Sequence, residues 1–145
     1  MKKILILFIL LINSPSYGQI LSKQVTRIAK KNVEIFLSSK FDNSAPFKII
    51  AEKGTRKVDD KNEGIANYLT NALLEFGEDV INDGEGNTIK FTIKWGAFDE
   101  LKRLSATIYN SNSNIVGTIQ YNGGYMPNSH SNISKAIIYK LVSKN

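Results

Sequence analysis

Cysteine is absent from the 145 residues. That excludes a disulfide framework, a thiol nucleophile, an iron–sulfur cluster and every cysteine-ligated zinc site. Histidine occurs once, as His130, so no metal centre built on several imidazoles is available. Three prolines and ten glycines are too few for a collagen-like or low-complexity chain. No repeat period divides the sequence, and its longest uncharged apolar run, Ile4 to Ile12, falls well short of the roughly 20 residues that span a bilayer as a helix. What is present suits one ordinary core: 42% of residues are hydrophobic and 22% charged, too apolar for a disordered chain and too short for two domains.

The first eighteen residues read as a targeting segment. Lys2 and Lys3 precede the apolar run, Asn13, Ser14 and Pro15 break it, and Ser16 and Gly18 are the small residues a signal peptidase requires. The sequence therefore predicts a signal peptide over 1–18, cleavage between Gly18 and Gln19, and a single domain over 19–145 that is periplasmic or secreted, with no transmembrane span. An uncleaved N-terminal anchor is the rival. No cysteine follows the run, so a lipoprotein anchor is chemically excluded. Without Lys2 and Lys3 the basic count is 19 − 2 = 17 against 13 acids, a net charge of +4. Residues 19–61 hold ten basic and five acidic side chains, while residues 62–145 hold seven and eight. A basic N-terminal third suits anionic partners such as lipid headgroups, acidic polysaccharide or nucleic acid, and a solvated face without a partner is the plain alternative. Export sets nucleic acid aside and leaves an envelope protein or an acidic polymer.

The clearest pattern is TIKFTIKWGAF, Thr88 to Phe98. Ile89, Phe91, Ile93, Trp95 and Ala97 alternate with Thr88, Lys90, Thr92, Lys94 and Gly96, the period of a strand with one buried and one wet face. Leu104, Ala106 and Ile108 alternate in the same way, and Ile115, Gly117, Ile119 and Tyr121 are expected to share the inner face of a third strand. The polar turn Asn110–Asn114 and the short Asp99–Lys102 connection join the three as an antiparallel meander. Two amphipathic helices supply a cover. One is expected over Asn62–Phe76, with Ile65, Tyr68, Leu69, Ala72, Leu73 and Phe76 inward, Asp60 and Glu63 as a capping box and Gly77 as the stop. The other carries Ile133, Ile137, Ile138, Leu141 and Val142, capped by Ser129 or Ser131, with Lys140 and Lys144 in its last turn. Earlier, Val33–Leu37 and Phe47–Ala51 read as strands joined by a turn at Asn43–Pro46, Ile20–Lys31 as a short helix, and Val80 and Ile81 as a short edge strand.

These elements predict an α+β fold, a two-layer sandwich whose mainly antiparallel sheet has its helices on one face. The order loosely resembles small periplasmic domains of the curli-secretion and penicillin-binding-protein-activator type. The IANYLTNALLEFG helix, the TIKFTIKW strand and the IYNSNSNIVGTIQY hairpin carry the likeness, over roughly residues 33–142. It implies an envelope-associated binding or assembly role without catalysis. No functional residues carry over.

Tools for chemistry are sparse. A Ser-His-Asp triad would have to use His130 with Ser129 or Ser131, but immediate neighbours in sequence rarely serve one imidazole as nucleophile and base, and no G-x-S-x-G elbow exists. The segment NDGEGN spaces Asp83, Glu85 and Asn87 like a calcium loop, yet the positions that require glycine and glutamate hold Thr88 and Lys94. The acidic pairs Asp59–Asp60, Glu78–Asp79 and Asp99–Glu100 flank helices or turns, where caps and solubility account for them, rather than facing one another across a glycosidase cleft. No phosphate-cradling motif is present. No catalytic residue, metal or cofactor is expected.

The more informative surface is the wet face of the meander. Lys90, Thr92, Lys94, Thr107, Tyr109, Thr118 and Gln120 project from it together, and lysines beside an aromatic on an open sheet suit an acidic or sugar-bearing chain; a plain solvated face is the bland alternative. The loop Tyr121–Asn132 adds Tyr125 and Met126 as contact candidates. The predicted ligand-binding set is therefore Lys90, Thr92, Lys94, Tyr109, Gln120 and Tyr125. The sequence points to an exported, non-catalytic binding or assembly module of the bacterial cell envelope. The alternatives are a secreted inhibitor or immunity-type protein acting on a hydrolase, and a hydrolase using His130.

Overall fold

The computed structural model describes residues 21–143; the expected leader, its cleavage point and Lys144 lie outside them. The predicted meander forms the centre of a five-stranded sheet. Strands β3 (Asn87–Trp95), β4 (Leu101–Tyr109) and β5 (Ile115–Asn122) run antiparallel, and β1 (Val33–Leu37) and β2 (Phe47–Ala51) close the two edges in the order β1-β5-β4-β3-β2. The expectation that Asn43–Pro46 joins neighbouring strands is corrected here. β1 pairs antiparallel with β5, β2 pairs parallel with β3, and the two lie at opposite edges. The segment between them is held at the start of β3, where Asn87 donates its side-chain amide to the Asp42 carbonyl (2.7 Å) and its backbone N–H to the Pro46 carbonyl (2.8 Å). A parallel pair needs a crossover, and the long helix between β2 and β3 provides it. The expected edge strand at Val80–Ile81 reduces to one bridge between Val80 and Phe47.

Three helices pack on one face of the sheet. Helix α1 (Lys23–Asn32) starts at Ser22, whose hydroxyl accepts from the Val25 N–H at 3.2 Å. Its last carbonyls have a cationic partner: the Lys140 ammonium donates to Ala29 O at 3.0 Å and also to Val33 O. Helix α2 (Arg56–Glu75) begins six residues before the predicted start. Its N-cap is Thr55, without a side-chain cap bond, and Asp60 lies inside the helix. The early turn escaped the periodicity because Val58 is the one apolar residue in RKVDDK, so this turn is largely solvated. At the other end Gly77 adopts φ +81°, Gly77 N–H donates to Leu74 O and Glu78 N–H to Leu73 O, a left-handed stop that glycine makes without strain. Helix α3 (His130–Ser143) is capped by Ser129, whose hydroxyl accepts from the Asn132 N–H at 3.2 Å.

The core lies between these layers. Ile35, Phe47, Ile89, Phe91, Leu104, Ile108, Ile119 and Tyr121 from the sheet meet Val25, Ile28, Ile65, Leu69, Leu73, Ile133, Ile137 and Leu141 from the helices, all buried. Tyr68, expected inward, is exposed, and Phe76, Val142, Ile93 and Trp95 are half-buried. One inner-face assignment fails for a clear reason. Ile108 pairs with Gly117 but Tyr109 pairs with Ile115, so Val116 is the extra residue of a bulge. Val116 is buried in the place expected for Ile115, which turns to the open face and is 63% exposed. Gly117 beside it has no room for a side chain, since a Cβ would lie 2.8 Å from Phe36 O and from Leu37 Cδ2.

Candidate functional site

The sheet face opposite the helices is uncovered. Cross-strand registers lay its side chains out in rows: Lys94 beside Arg103 and Asn122; Thr92 beside Ser105, Gln120 and Glu34; Ile50 beside Lys90, Thr107, Thr118 and Phe36; Lys48 beside Thr88 and Tyr109. Five of the six residues expected to bind ligand, Lys90, Thr92, Lys94, Tyr109 and Gln120, therefore share this face. They do not form one compact site. Tyr109 and Arg103 sit six positions apart on β4, roughly 20 Å in an extended strand. The sixth, Tyr125, is not on this face; it lies fully exposed on the loop beyond β5, at the end away from Tyr109.

Sequence reasoning missed Lys48, Arg103, Ser105, Asn122, Ile50 and Phe36. Lys48, Ile50 and Phe36 were legible in principle as the outward positions of the two short alternating strands. Arg103 and Ser105 were legible in the same way, since they continue the alternation of Thr107 and Tyr109 along β4; the irregularity that pairs Trp95 with Leu101 displaces Lys102, beyond them. Of the charged groups on this face, Lys48, Lys90, Lys94 and Arg103 oppose Glu34 on β1 and Glu52, which follows β2 and approaches Lys90, a balance of 4 − 2 = +2. The polar groups between them are partly tied together. Ser105 Oγ donates to Gln120 Oε1 at 2.9 Å, and Arg103 Nε donates to Asn122 Oδ1 at 3.0 Å. Lys90 approaches Glu52 only at 3.9 Å, with both side chains about half exposed, so its ammonium is loosely held. At the Tyr109 end, the Gly84–Gly86 loop and the Asn110–Ser113 turn rise beside the sheet and enclose a cleft of about 530 Å³ with Lys48, Ile50, Lys90 and Tyr109 on its floor. Asn110 Oδ1 fixes that turn by accepting from the N–H groups of Asn112 and Asn114, both at 3.0 Å.

A second cleft, about 460 Å³, opens where the β3–β4 loop meets the start of α3. His130 is wedged there. Its ring meets Trp95 edge-on (centroids 5.5 Å apart) and Tyr68 at 6.4 Å, and Nε2 lies 3.0 Å from the Asp99 carbonyl oxygen. Trp95 is itself anchored by its Nε1–H, which donates to buried Asn62 Oδ1 at 2.9 Å. The imidazole thus faces a backbone carbonyl and two rings, not a serine hydroxyl. Lys61 pairs with the Asp99 carboxylate and lies 5.5 Å from the Trp95 ring centroid. Phe98 and Asp99 both have positive φ (54° and 58°), and this backbone holds the Phe98 ring fully in solvent. Tyr125 and Met126 are exposed on the loop that follows β5. Tyr121, the expected start of that contact loop, is buried and accepts from Asn128 Nδ2 at 3.2 Å; desolvation raises its pKa. Among the described residues no group of three His, Asp or Glu is placed to hold a metal.

The Lys61 ammonium, first by hydrogen bonding and then by charge, holds the Asp99 carboxyl below the ordinary carboxylate range. A depressed carboxyl pKa adds stability above its unfolded value, and that contribution is lost as pH falls through the folded one. Lys61→Gln should raise the Asp99 midpoint toward its ordinary 3.8 in a carboxyl-carbon NMR titration. An unmoved midpoint would show that the pair does not form in solution.

No family model matches the sequence, and no curated protein matches it. Solved structures do share its architecture. The fold resembles PelC. The PelC dodecamer from Paraburkholderia phytofirmans aligns with a TM-score of 0.51 and 14% identity, covering 77% of this chain and 94% of that one. A point variant of the same dodecamer aligns at 0.48 and 13%, covering 77% and 95%. At this identity the PelC likeness is one of fold. Among the described residues no helix is long and apolar enough to cross a membrane.

Proposed function

We propose that this chain is an exported, non-catalytic binding or assembly module of the cell envelope, and that its open sheet face is the contact surface for an extended acidic partner. The observation that carries the reading is the +2 balance of that uncovered face, with three lysines and an arginine laid across its rows. Flanked by hydroxyl and amide groups, these cations attract and orient an anionic chain without needing a closed pocket. The leader pattern over 1–18 supports export, as does the resemblance of the helix–meander order to periplasmic domains. The likeness in fold to a protein found as a dodecamer is compatible with an assembly role and names no ligand. His130 directed at a backbone carbonyl supports a role without catalysis.

The test is co-sedimentation with immobilised dextran sulfate across a salt series. The wild-type chain should bind and release as salt rises. The triple variant K90A/K94A/Y109A, folded by circular dichroism, should lose about tenfold or more in affinity. Equal retention of the two proteins would remove this face from the account.

A second reading, the inhibitor of a hydrolase, is favoured by one observation. Phe98, held out on a left-handed backbone, is joined at the same end of the domain by exposed Tyr125 and Met126, a projecting apolar set suited to a partner's pocket. A 1:1 complex with one hydrolase, weakened at least tenfold by Phe98→Ala, would support it. A complex unchanged by that substitution would count against it.

A further inference from the structure

We infer that the cleft at the Tyr109 end of the open face seats a carboxylate-bearing sugar residue, and that the acidic partner is a polysaccharide. The inference rests on the open face being the contact surface and adds the ligand's chemical class.

Three features of the cleft carry it. Lys48 and Lys90 line its floor from adjacent strands, two ammonium groups for an anion, and Glu52 at 3.9 Å holds Lys90 only loosely. Tyr109 stands between them and the Asn110–Ser113 turn and offers a ring face and a hydroxyl to a flat ligand that is apolar on one side and polar on the other. Glu85 also lines the cleft, an acceptor that suits ligand hydroxyl groups.

The rest of the face agrees. It is dense in hydroxyl and amide groups (Thr88, Thr92, Thr107, Thr118, Gln120), partners for a polyhydroxylated chain. Arginine forks, the usual match for phosphate, are limited to Arg103, which is already bonded to Asn122. A single-stranded nucleic acid needs a series of stacking rings along its path, whereas Tyr109 is the one aromatic on β3, β4 and β5 that faces this way. Beyond the cleft, Lys94 lies four positions from Lys90 on β3, roughly 13 Å further along. A chain seated at Tyr109 and running along β3 would present a later acidic residue to Lys94 and Arg103.

Calorimetric titration of the full chain with hexagalacturonate, its fully methyl-esterified form and dextran sulfate tests this. Hexagalacturonate should bind, and esterification should weaken it about tenfold or more. K48Q/K90Q should lower hexagalacturonate affinity at least tenfold and Tyr109→Ala about fivefold, with Tyr109→Phe retaining most of it; K94Q, further along, should cost about threefold or less. Equal affinity for the ester, or no effect of K48Q/K90Q on a folded protein, would overturn the inference. Binding of dextran sulfate that depends on Lys94 and Arg103, with no binding of hexagalacturonate, would overturn the sugar-acid seat and leave the open-face reading standing. No binding of any acidic chain would overturn both.

Discussion

Phe91→Ala is expected to lower the unfolding free energy by about 3–5 kcal/mol. Phe91 is fully buried at the centre of β3, and its row across the inner face runs Ile35, Ile119, Ala106, Phe91, Ala51. Both of its immediate neighbours in that row are alanines, too short to fill the space the ring would leave, so the cavity persists and its cost adds to the lost transfer energy. Against a total of about 5–15 kcal/mol for an ordinary domain, this change alone should leave the protein marginal in a urea melt. Phe91→Leu, which keeps most of the volume, should cost about 1.5 kcal/mol or less. Lys90→Ala, one residue away on the open face, should stay within about 0.5 kcal/mol. A Phe91→Ala loss below about 1 kcal/mol would mean that the inner face is not packed as described.

Gly86→Ala should destabilise by about 2–3 kcal/mol. The reason is space, not backbone conformation. A Cβ at Gly86 would lie 2.5 Å from the Pro46 carbonyl oxygen and 3.2 Å from Ile81 Cδ1. That carbonyl also accepts the Asn87 N–H that starts the β2–β3 pairing, so relieving the clash requires parting the parallel strands where they begin. Gly84 in the same loop is the contrast. Its φ is +102° and the nearest atom to a Cβ is 4.0 Å away, so Gly84→Ala meets conformational strain alone, about 1–2 kcal/mol. Thermal unfolding of the two variants measures the difference; a Gly86→Ala as mild as Gly84→Ala would contradict the close approach of the 38–46 segment to β3.

What the sequence disclosed and what it hid follow from the reach of local patterns. The alternation Ile89–Trp95 and the stripe Ile65–Leu73 are period signals that burial enforces residue by residue, so the meander, its cover and the outward lysines were all readable. Pairing between distant segments leaves no such trace. Nothing in FKIIA states that it lies parallel to β3, because side-chain alternation is identical in parallel and antiparallel edges, and the bonds that fix the choice join Asn87 to Asp42 and Pro46. The bulge that exposes Ile115 escaped for a related reason: one extra residue shifts the pleat while every neighbour still looks apolar. Of the functional face, the β3 lysines and Tyr109 were legible from alternation. Lys48 joined them only once β2 was placed beside β3, and Tyr125 dropped out because its loop leaves the sheet at the far end.

The most direct test is a map of backbone amide shifts in the chain as a short dextran sulfate oligomer is added. The account predicts changes at Lys48, Lys90, Thr92, Lys94, Arg103 and Tyr109 on the uncovered strands, with α1, α2 and α3 unmoved. Shifts concentrated on the helices or on the Phe98 and Tyr125 loops, with those strand positions silent, would contradict it.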